Sequence, residues 1–236
     1  MKRPLFALLM YFAVSIPLAS VAQQRPSPTD EVSMIVGASR FQYEQTTMAL
    51  TDAYIVLLKI ANQKDAAEHL EQASKPYQAY LETPSNLRGT YEKQVPQVCT
   101  DLIAEGNHGL RTIAATVPQK HLNASQKKSL QRITRNVYIS ILKDEDILRA
   151  NQQLQSKHMT TPGTPTAADS LTIAKRGPYQ LATSRTLLQV LMLTMQNNNM
   201  STDDLAKLQD SDGMQWGKTC YWEYGKPEPC DGDLSD

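Results

Sequence analysis

Few residues of this chain have the types and spacing that chemistry requires. Glu105 directly precedes a Gly-Asn-His-Gly turn that contains His108, and a carboxylate beside an imidazole is a general acid–base pair. Arg132, further along the chain, is the other charged side chain that a small helical enzyme would use. The sequence has no GxSxG, no phosphate-binding loop and no haem-binding CxxCH. We therefore assign no catalytic residue, and an enzyme is the alternative interpretation.

The cysteines indicate a disulfide rather than a metal site. Cys220 and Cys230 would close a loop of about ten residues, and closing such a loop stabilises a fold by about 2–3 kcal/mol. Pairing of Cys99 with either tail cysteine is the alternative, because spacing alone does not determine connectivity. The chain has no CxxC and no paired histidine spacing, so we predict neither a metal nor a cofactor.

The loop between the two tail cysteines is rich in aromatic residues. It contains Tyr221, Trp222 and Tyr224 in a chain that has few aromatic side chains elsewhere. Tyrosine and tryptophan are frequent anchors of protein interfaces, so these three are predicted to contact a partner. The alternative is that Trp216 and Trp222 form a hydrophobic plug over the end of the helical domain.

Charge is segregated along the chain. Residues 106–143 contain no acidic residue, and Lys128, Arg132 and Arg135 share one face of a predicted helix because they follow i, i+4, i+7 spacing. Residues 203–236 carry nine acidic residues and three lysines. The basic face is predicted to steer an acidic protein partner. Alternatively the acidic tail folds back onto this face, or the face is simply solvated.

The N-terminus predicts export. Residues 1–22 have a basic start, a short apolar stretch and a Ser-Val-Ala cleavage site ending at Ala22. An uncleaved anchor is the alternative, but the stretch is short for a membrane span, and no later segment is apolar enough. Without Lys2 and Arg3, the mature chain has 22 basic and 24 acidic residues. This balance argues against nucleic-acid binding, and we predict a periplasmic or secreted protein.

Composition and periodicity predict an all-α chain. Leu, Ile, Val, Ala and Met must form the core, because Phe41 is the only phenylalanine beyond the signal peptide. Apolar spacing predicts helices over about 28–62, 64–82, 86–116, 125–156, 166–197 and 201–208. A kink is expected at Pro76, and breaks are expected near Pro96, at 106–109 and at 177–178. The apolar second half of the fifth helix predicts a central position.

These elements predict a single antiparallel helical bundle of about five long helices and a short sixth. The expected organisation is a signal peptide over 1–22, the bundle over 23–208, and an irregular, acidic and aromatic tail with the disulfide loop over 209–236. The chain lacks the arginine–lysine pattern of periplasmic chorismate mutases and the LTxxQ repeats of envelope chaperones. No family resemblance is therefore assigned.

The predicted function is non-catalytic binding of another protein, in an immunity, inhibitor or envelope-assembly role. Tyr221, Trp222 and Tyr224 would anchor the partner, and the basic face on the fourth helix would steer it. The alternative is a small periplasmic enzyme with a pocket between helices. A deep pocket with converging charged groups would favour the alternative, because ligand sites have that geometry.

Overall fold

The structure is a computed structural model that describes residues 28–84, 87, 89–156, 165–203 and 205, together with the pairs 219–220 and 228–229. All of its long elements are helices, and they form a helical bundle, as the sequence predicts. The long helices are α1 (Pro28–Ile60), α2 (Lys64–Glu82), α3 (Val95–Ile113), α4 (Ala124–Ser156) and α5 (Pro165–Asn197). Two short 3-10 helices, Gly89–Lys93 and Val117–Gln119, flank α3.

Helix α1, rather than α5, occupies the centre of the bundle. It packs against α2, α3, α4 and α5, and the side chains of Leu50, Tyr54 and Leu57 are almost completely buried. The prediction of a central α5 is wrong, because Leu193 in its apolar second half is 51% exposed. The continuous run of apolar residues in α5 therefore does not mean that other helices cover all of its sides.

The helix breaks predicted at residues 106–109 and 177–178 are absent, because the glycines there lie where two helices pack closely. Helix α3 runs through residues 106–109, where Gly106 lies directly against the ring of Tyr54 on α1. Helix α5 runs through residues 177–178, where Gly177 lies against Leu148 on α4. In both places the missing Cβ atom lets two helices approach closely, so the glycine supports packing instead of ending the helix. Pro76 also lies inside a continuous α2.

The third predicted helix is shorter than expected. Helix α3 begins at Val95, with Pro96 in its first turn. Proline is tolerated there because the backbone N–H that it lacks would have no hydrogen-bond acceptor within the helix. Helix α4 begins at Ala124, one residue earlier than predicted, and Asn123 caps it. The Asn123 side chain accepts a hydrogen bond from Gln126 N at 2.9 Å, and Asn123 N donates to Gln126 Oε1 at 3.0 Å. This reciprocal pair is a capping box.

The tail is described only in part. Thr219–Cys220 forms β1, which pairs in antiparallel fashion with β2 (Glu228–Pro229), and the register places Glu228 opposite Cys220. Cys230 lies outside the described residues, so the Cys220–Cys230 disulfide and the rest of the 209–236 tail remain predictions. The signal peptide lies outside them too. Of the predicted sixth helix, the structure describes Asp203 and Leu205 as helical.

Cys99 is a free thiol in the core and does not pair with a tail cysteine. Its Sγ donates to Tyr77 Oη at 3.2 Å, and Tyr77 Oη in turn donates to the backbone carbonyl of Glu44 at 2.8 Å. Burial raises the pKa of the Cys99 thiol, which keeps it protonated and unreactive. This arrangement excludes the alternative disulfide pairing.

The apolar core is divided into two clusters. The larger one extends along α1 from Leu50, and the smaller one joins Val32 and Ile35 of α1 to Ala150 and Leu154 of α4. Between the two clusters, α1 and α4 carry buried polar residues: Gln42, Glu44, Thr46 and Asp144. The bundle is therefore not filled at this level, and a cavity opens there.

Candidate functional site

The predicted basic face is present on the surface. Lys128, Arg132 and Arg135 are all exposed on α4. Arg132 lies near the half-buried Asp52 of α1 and opposes the rise in the pKa of that carboxyl group, which is caused mainly by burial. Lys127, from the same basic run, instead donates through Nζ to the carbonyl of Asn198 at 2.9 Å, after the end of α5. Some of the basic residues therefore stabilise the fold.

Glu105 pairs with His69 rather than with His108, the residue considered with it for the enzyme alternative. The carboxylate of Glu105 contacts His69 of α2, with 2.6 Å between Oε1 and Nδ1, while His108 is exposed elsewhere on α3. The Glu105–His69 pair joins two helices at the surface, where an ion pair contributes little. None of the residues suggested for the enzyme alternative, Glu105, His108 and Arg132, lines the cavity described below. The aromatic anchors Tyr221, Trp222 and Tyr224 lie outside the described residues.

A cavity of about 880 Å3 lies between α1, α4 and α5, and the start of α3 closes one side. We call it the α1–α4–α5 pocket. Its wall is formed mainly by apolar and small residues: Val36, Gly37, Val95, Pro96, Ile147, Leu148, Ile173 and Gly177. Its charged residues are Arg40, Glu44, Lys93, Asp144 and Arg176. An apolar wall with a few placed charged groups is the usual composition of a small-molecule site.

Glu44 and Arg40 form an ion pair along α1. Arg40 Nε lies 3.5 Å from Glu44 Oε1, at the i, i+4 spacing that brings two side chains together on a helix. The Glu44 carboxylate is almost fully buried and also accepts from Tyr80 Oη at 3.5 Å. Glu44 therefore neutralises one of the two arginines of the pocket.

Asp144 is the buried carboxyl group of the pocket. Thr46 Oγ1 donates to its Oδ1 at 3.2 Å, and Gln180 Nε2 donates to its Oδ2 at 3.4 Å. These hydrogen bonds are long, so they offset only part of the cost of burial. Burial raises the pKa of Asp144 from 3.8 to about 7, against the opposing hydrogen bonds from Thr46 and Gln42. The carboxyl group consequently changes charge near neutral pH.

Arg176 of α5 contributes a positive charge whose position is restrained by an aromatic ring. Its guanidinium carbon lies 5.8 Å from the centre of the Tyr43 ring, which is within the range of a cation–π contact. Arg176 is exposed to solvent, whereas Asp144 is only 7% exposed. The pocket thus has a cation on its solvent side and a carboxyl group in its interior.

Sequence reasoning did not find this pocket, although one signal was visible. Asp144 falls on the apolar stripe of α4, three residues after Ile141 and four before Leu148. A charged residue on a buried stripe is unusual unless it has a special environment. Arg40, Tyr43 and Arg176 had no comparable signal, because they come from two helices whose relative position is set only by packing.

Comparison with known proteins does not assign a family. The chain shows no significant match to protein-family models, curated proteins or solved structures. Within the part of the chain that the structure describes, no three or more His, Cys, Asp or Glu side chains are placed to hold a metal ion. No helix in that part has the length and hydrophobicity required to cross a bilayer. Function is therefore inferred from the site itself.

Proposed function

We propose that this protein is an exported helical bundle that binds a small organic ligand in the α1–α4–α5 pocket. The observation that supports the proposal is a cavity of about 880 Å3 with an apolar wall and charged side chains of both signs in its lining. Its volume falls in the range of about 300–1,000 Å3 that is typical of ligand sites. Export rests on the signal-peptide pattern of residues 1–22.

The pocket also has a physical origin in the sequence. Close packing would be reached if Leu or Ile side chains filled the space between the two apolar clusters, and the bundle would then be more stable. This chain instead places Gly37 and Ser39 along the wall and Asp144 in the interior. The small and polar residues bury less apolar surface than Leu or Ile would, which lowers the stability of the fold, and a bound ligand would restore part of that stability.

We expect Gly37→Trp to block ligand binding without unfolding the protein. Gly37 lines the pocket, and a Cβ atom added there would meet no other atom within 4 Å. Replacing a helical glycine also removes its helix-propensity cost, so stability is retained. The fluorescent dye 1-anilinonaphthalene-8-sulfonate is the probe, and its affinity should fall by about tenfold or more, which corresponds to about 1.4 kcal/mol.

The matched control for this experiment is Ala104→Trp. Ala104 is exposed on α3 and does not line the pocket, so this variant adds the same side chain to a different surface. It should bind the dye as the wild-type protein does. Equal binding by the two tryptophan variants, or no saturable binding by the wild-type protein, would contradict the proposed function.

Docking of another protein is the second candidate function. The observation that favours it is the joint exposure of Lys128, Arg132 and Arg135 on one face of α4. Such a face would steer an acidic partner. In this proposal Tyr221, Trp222 and Tyr224 would anchor the partner, and the aromatic loop would recognise it.

The docking candidate predicts a salt-sensitive complex. In a pull-down from periplasmic extract, reversing the charges of Lys128, Arg132 and Arg135 together should remove a stoichiometric partner. Trp222→Ala should also weaken its capture, and high salt should release it because exposed charges are screened. Arg111→Glu, at an exposed position on α3, is the control. Capture that survives both the triple reversal and high salt would exclude the basic face as the docking surface.

A further inference from the structure

We infer that the ligand of the α1–α4–α5 pocket is amphoteric, with an anionic group bound by Arg176 and an ammonium group bound by Asp144. This inference rests on the proposed function of the pocket and goes further by naming the ligand class. It follows from the charged side chains that line the cavity: Arg40 and Glu44 pair with each other, whereas Asp144, Arg176 and the exposed Lys93 have no ionic partner among the described residues. Asp144 supplies the negative charge, and Arg176, with Lys93 as a second cation at the rim, supplies the positive charge.

The interior charge is that of Asp144. Its two oxygens accept hydrogen bonds from the neutral side chains of Thr46 and Gln180, and no cationic group of the described residues lies within ion-pair distance. The neighbouring Lys143 lowers the pKa of Asp144 less than burial raises it and forms no ion pair with it, so the buried carboxylate keeps a large desolvation cost. A primary ammonium group is compact and donates three hydrogen bonds, so it would supply the missing charge and stronger, charge-assisted hydrogen bonds beside the long ones from Thr46 and Gln180.

The outer charge is that of Arg176. Its guanidinium group lies over the ring of Tyr43, which restrains its position without neutralising it. No carboxylate of the described residues pairs with it, whereas the other arginine of the pocket, Arg40, is paired with Glu44. The planar guanidinium group matches the geometry of a carboxylate, so it suits the anionic end of a ligand.

The wall determines what joins the two ends of the ligand. Val36, Ile147, Leu148 and Ile173 present aliphatic side chains to the cavity. A ligand with an aliphatic spacer would bury apolar surface against them, which is favourable. A carboxylate without an amine would leave Asp144 without a cation, and an amine without a carboxylate would leave Arg176 without an anion. Both charged ends are therefore required for full affinity.

The test compares three probes of equal length at pH 8: 8-aminooctanoate, octanoate and octylamine. Each is titrated into the exported protein by calorimetry and in competition with the fluorescent dye. We expect 8-aminooctanoate to bind about tenfold or more tightly than either single-charge probe. Shorter probes of four and six carbons establish the spacing between the two charges.

Two variants assign the two ends separately. Asp144→Asn should remove the advantage of 8-aminooctanoate over octanoate while retaining its advantage over octylamine. Arg176→Gln should have the opposite pattern. Arg185→Gln is the matched control, because Arg185 is an exposed arginine of the same helix that pairs with Glu145 outside the pocket. It should leave all three affinities unchanged.

The outcomes separate this inference from the proposed function. If octanoate or octylamine displaces the dye as well as 8-aminooctanoate does, or if no probe displaces it, the amphoteric assignment is overturned while the ligand site stands. If Gly37→Trp does not affect dye binding, the pocket itself is not the site, and both proposals fail. The pattern in which each variant affects one end only is the result that supports the assignment.

Discussion

At alkaline pH the Asp144→Asn variant should be more stable than the wild-type protein, and the difference should shrink as the pH falls. Asp144 has a folded-state pKa of about 7, compared with 3.8 for the unfolded chain. Between these values the folded protein retains a proton that the unfolded chain has lost, so the free energy of unfolding decreases as the pH rises. Asparagine keeps an oxygen that can accept from Thr46 and carries no charge.

The expected effect is large for a single side chain. Each pKa unit corresponds to about 1.4 kcal/mol, so the advantage of the variant should grow by about 3 kcal/mol between pH 5 and pH 8. Urea unfolding at several pH values measures it directly. Asp101→Asn, at an exposed position on α3, is the control. Parallel stability curves for wild-type protein and Asp144→Asn would show that Asp144 is not the titrating group.

Gly106→Ala should destabilise the protein, although alanine favours helix formation more than glycine does. The added methyl group would overlap ring carbons of Tyr54, which is only 1% exposed. The ring cannot move away easily, because Tyr54 Oη donates to Asn107 Oδ1 at 2.6 Å and the surrounding core is closely packed. Overpacking of this kind costs about 1–3 kcal/mol, which exceeds the gain in helix propensity of about 1 kcal/mol.

The matched control is Gly37→Ala, the same substitution in a helix with open space around it. No atom lies within 4 Å of the added methyl group, so this variant should be more stable by up to about 1 kcal/mol. The midpoints of urea unfolding compare the two variants. If both substitutions shift stability in the same direction, α1 and α3 do not pack at Gly106 as the structure shows.

Much of the fold could be predicted because helix formation depends on local sequence. The stripe of Leu130, Ile133, Val137 and Ile141 predicted α4, and all four side chains are buried. The ends of α4 and α5 were placed within one residue of the observed bounds. Spacing at 3.6 residues per turn carries this information regardless of what the helix later packs against.

Local rules failed where tertiary contacts overrode them. Gly106 and Gly177 have the composition of helix breaks, yet both lie inside continuous helices because each faces a large side chain of another helix. The same limit applies to Glu105, whose partner is His69 on α2 and not the nearby His108. A contact between helices depends on their relative rotation and spacing, which no local pattern specifies.

By itself, then, the sequence determined the all-helical class, the helical stripes and the surface position of the basic face, because periodicity and charge are properties of each segment alone. Only the tertiary structure decided which helix is central and that Asp144 and Arg176 share one cavity. Those two residues are 32 positions apart on different helices. They line the same cavity only because the core leaves a gap between its two apolar clusters, and that gap is a property of the assembled bundle.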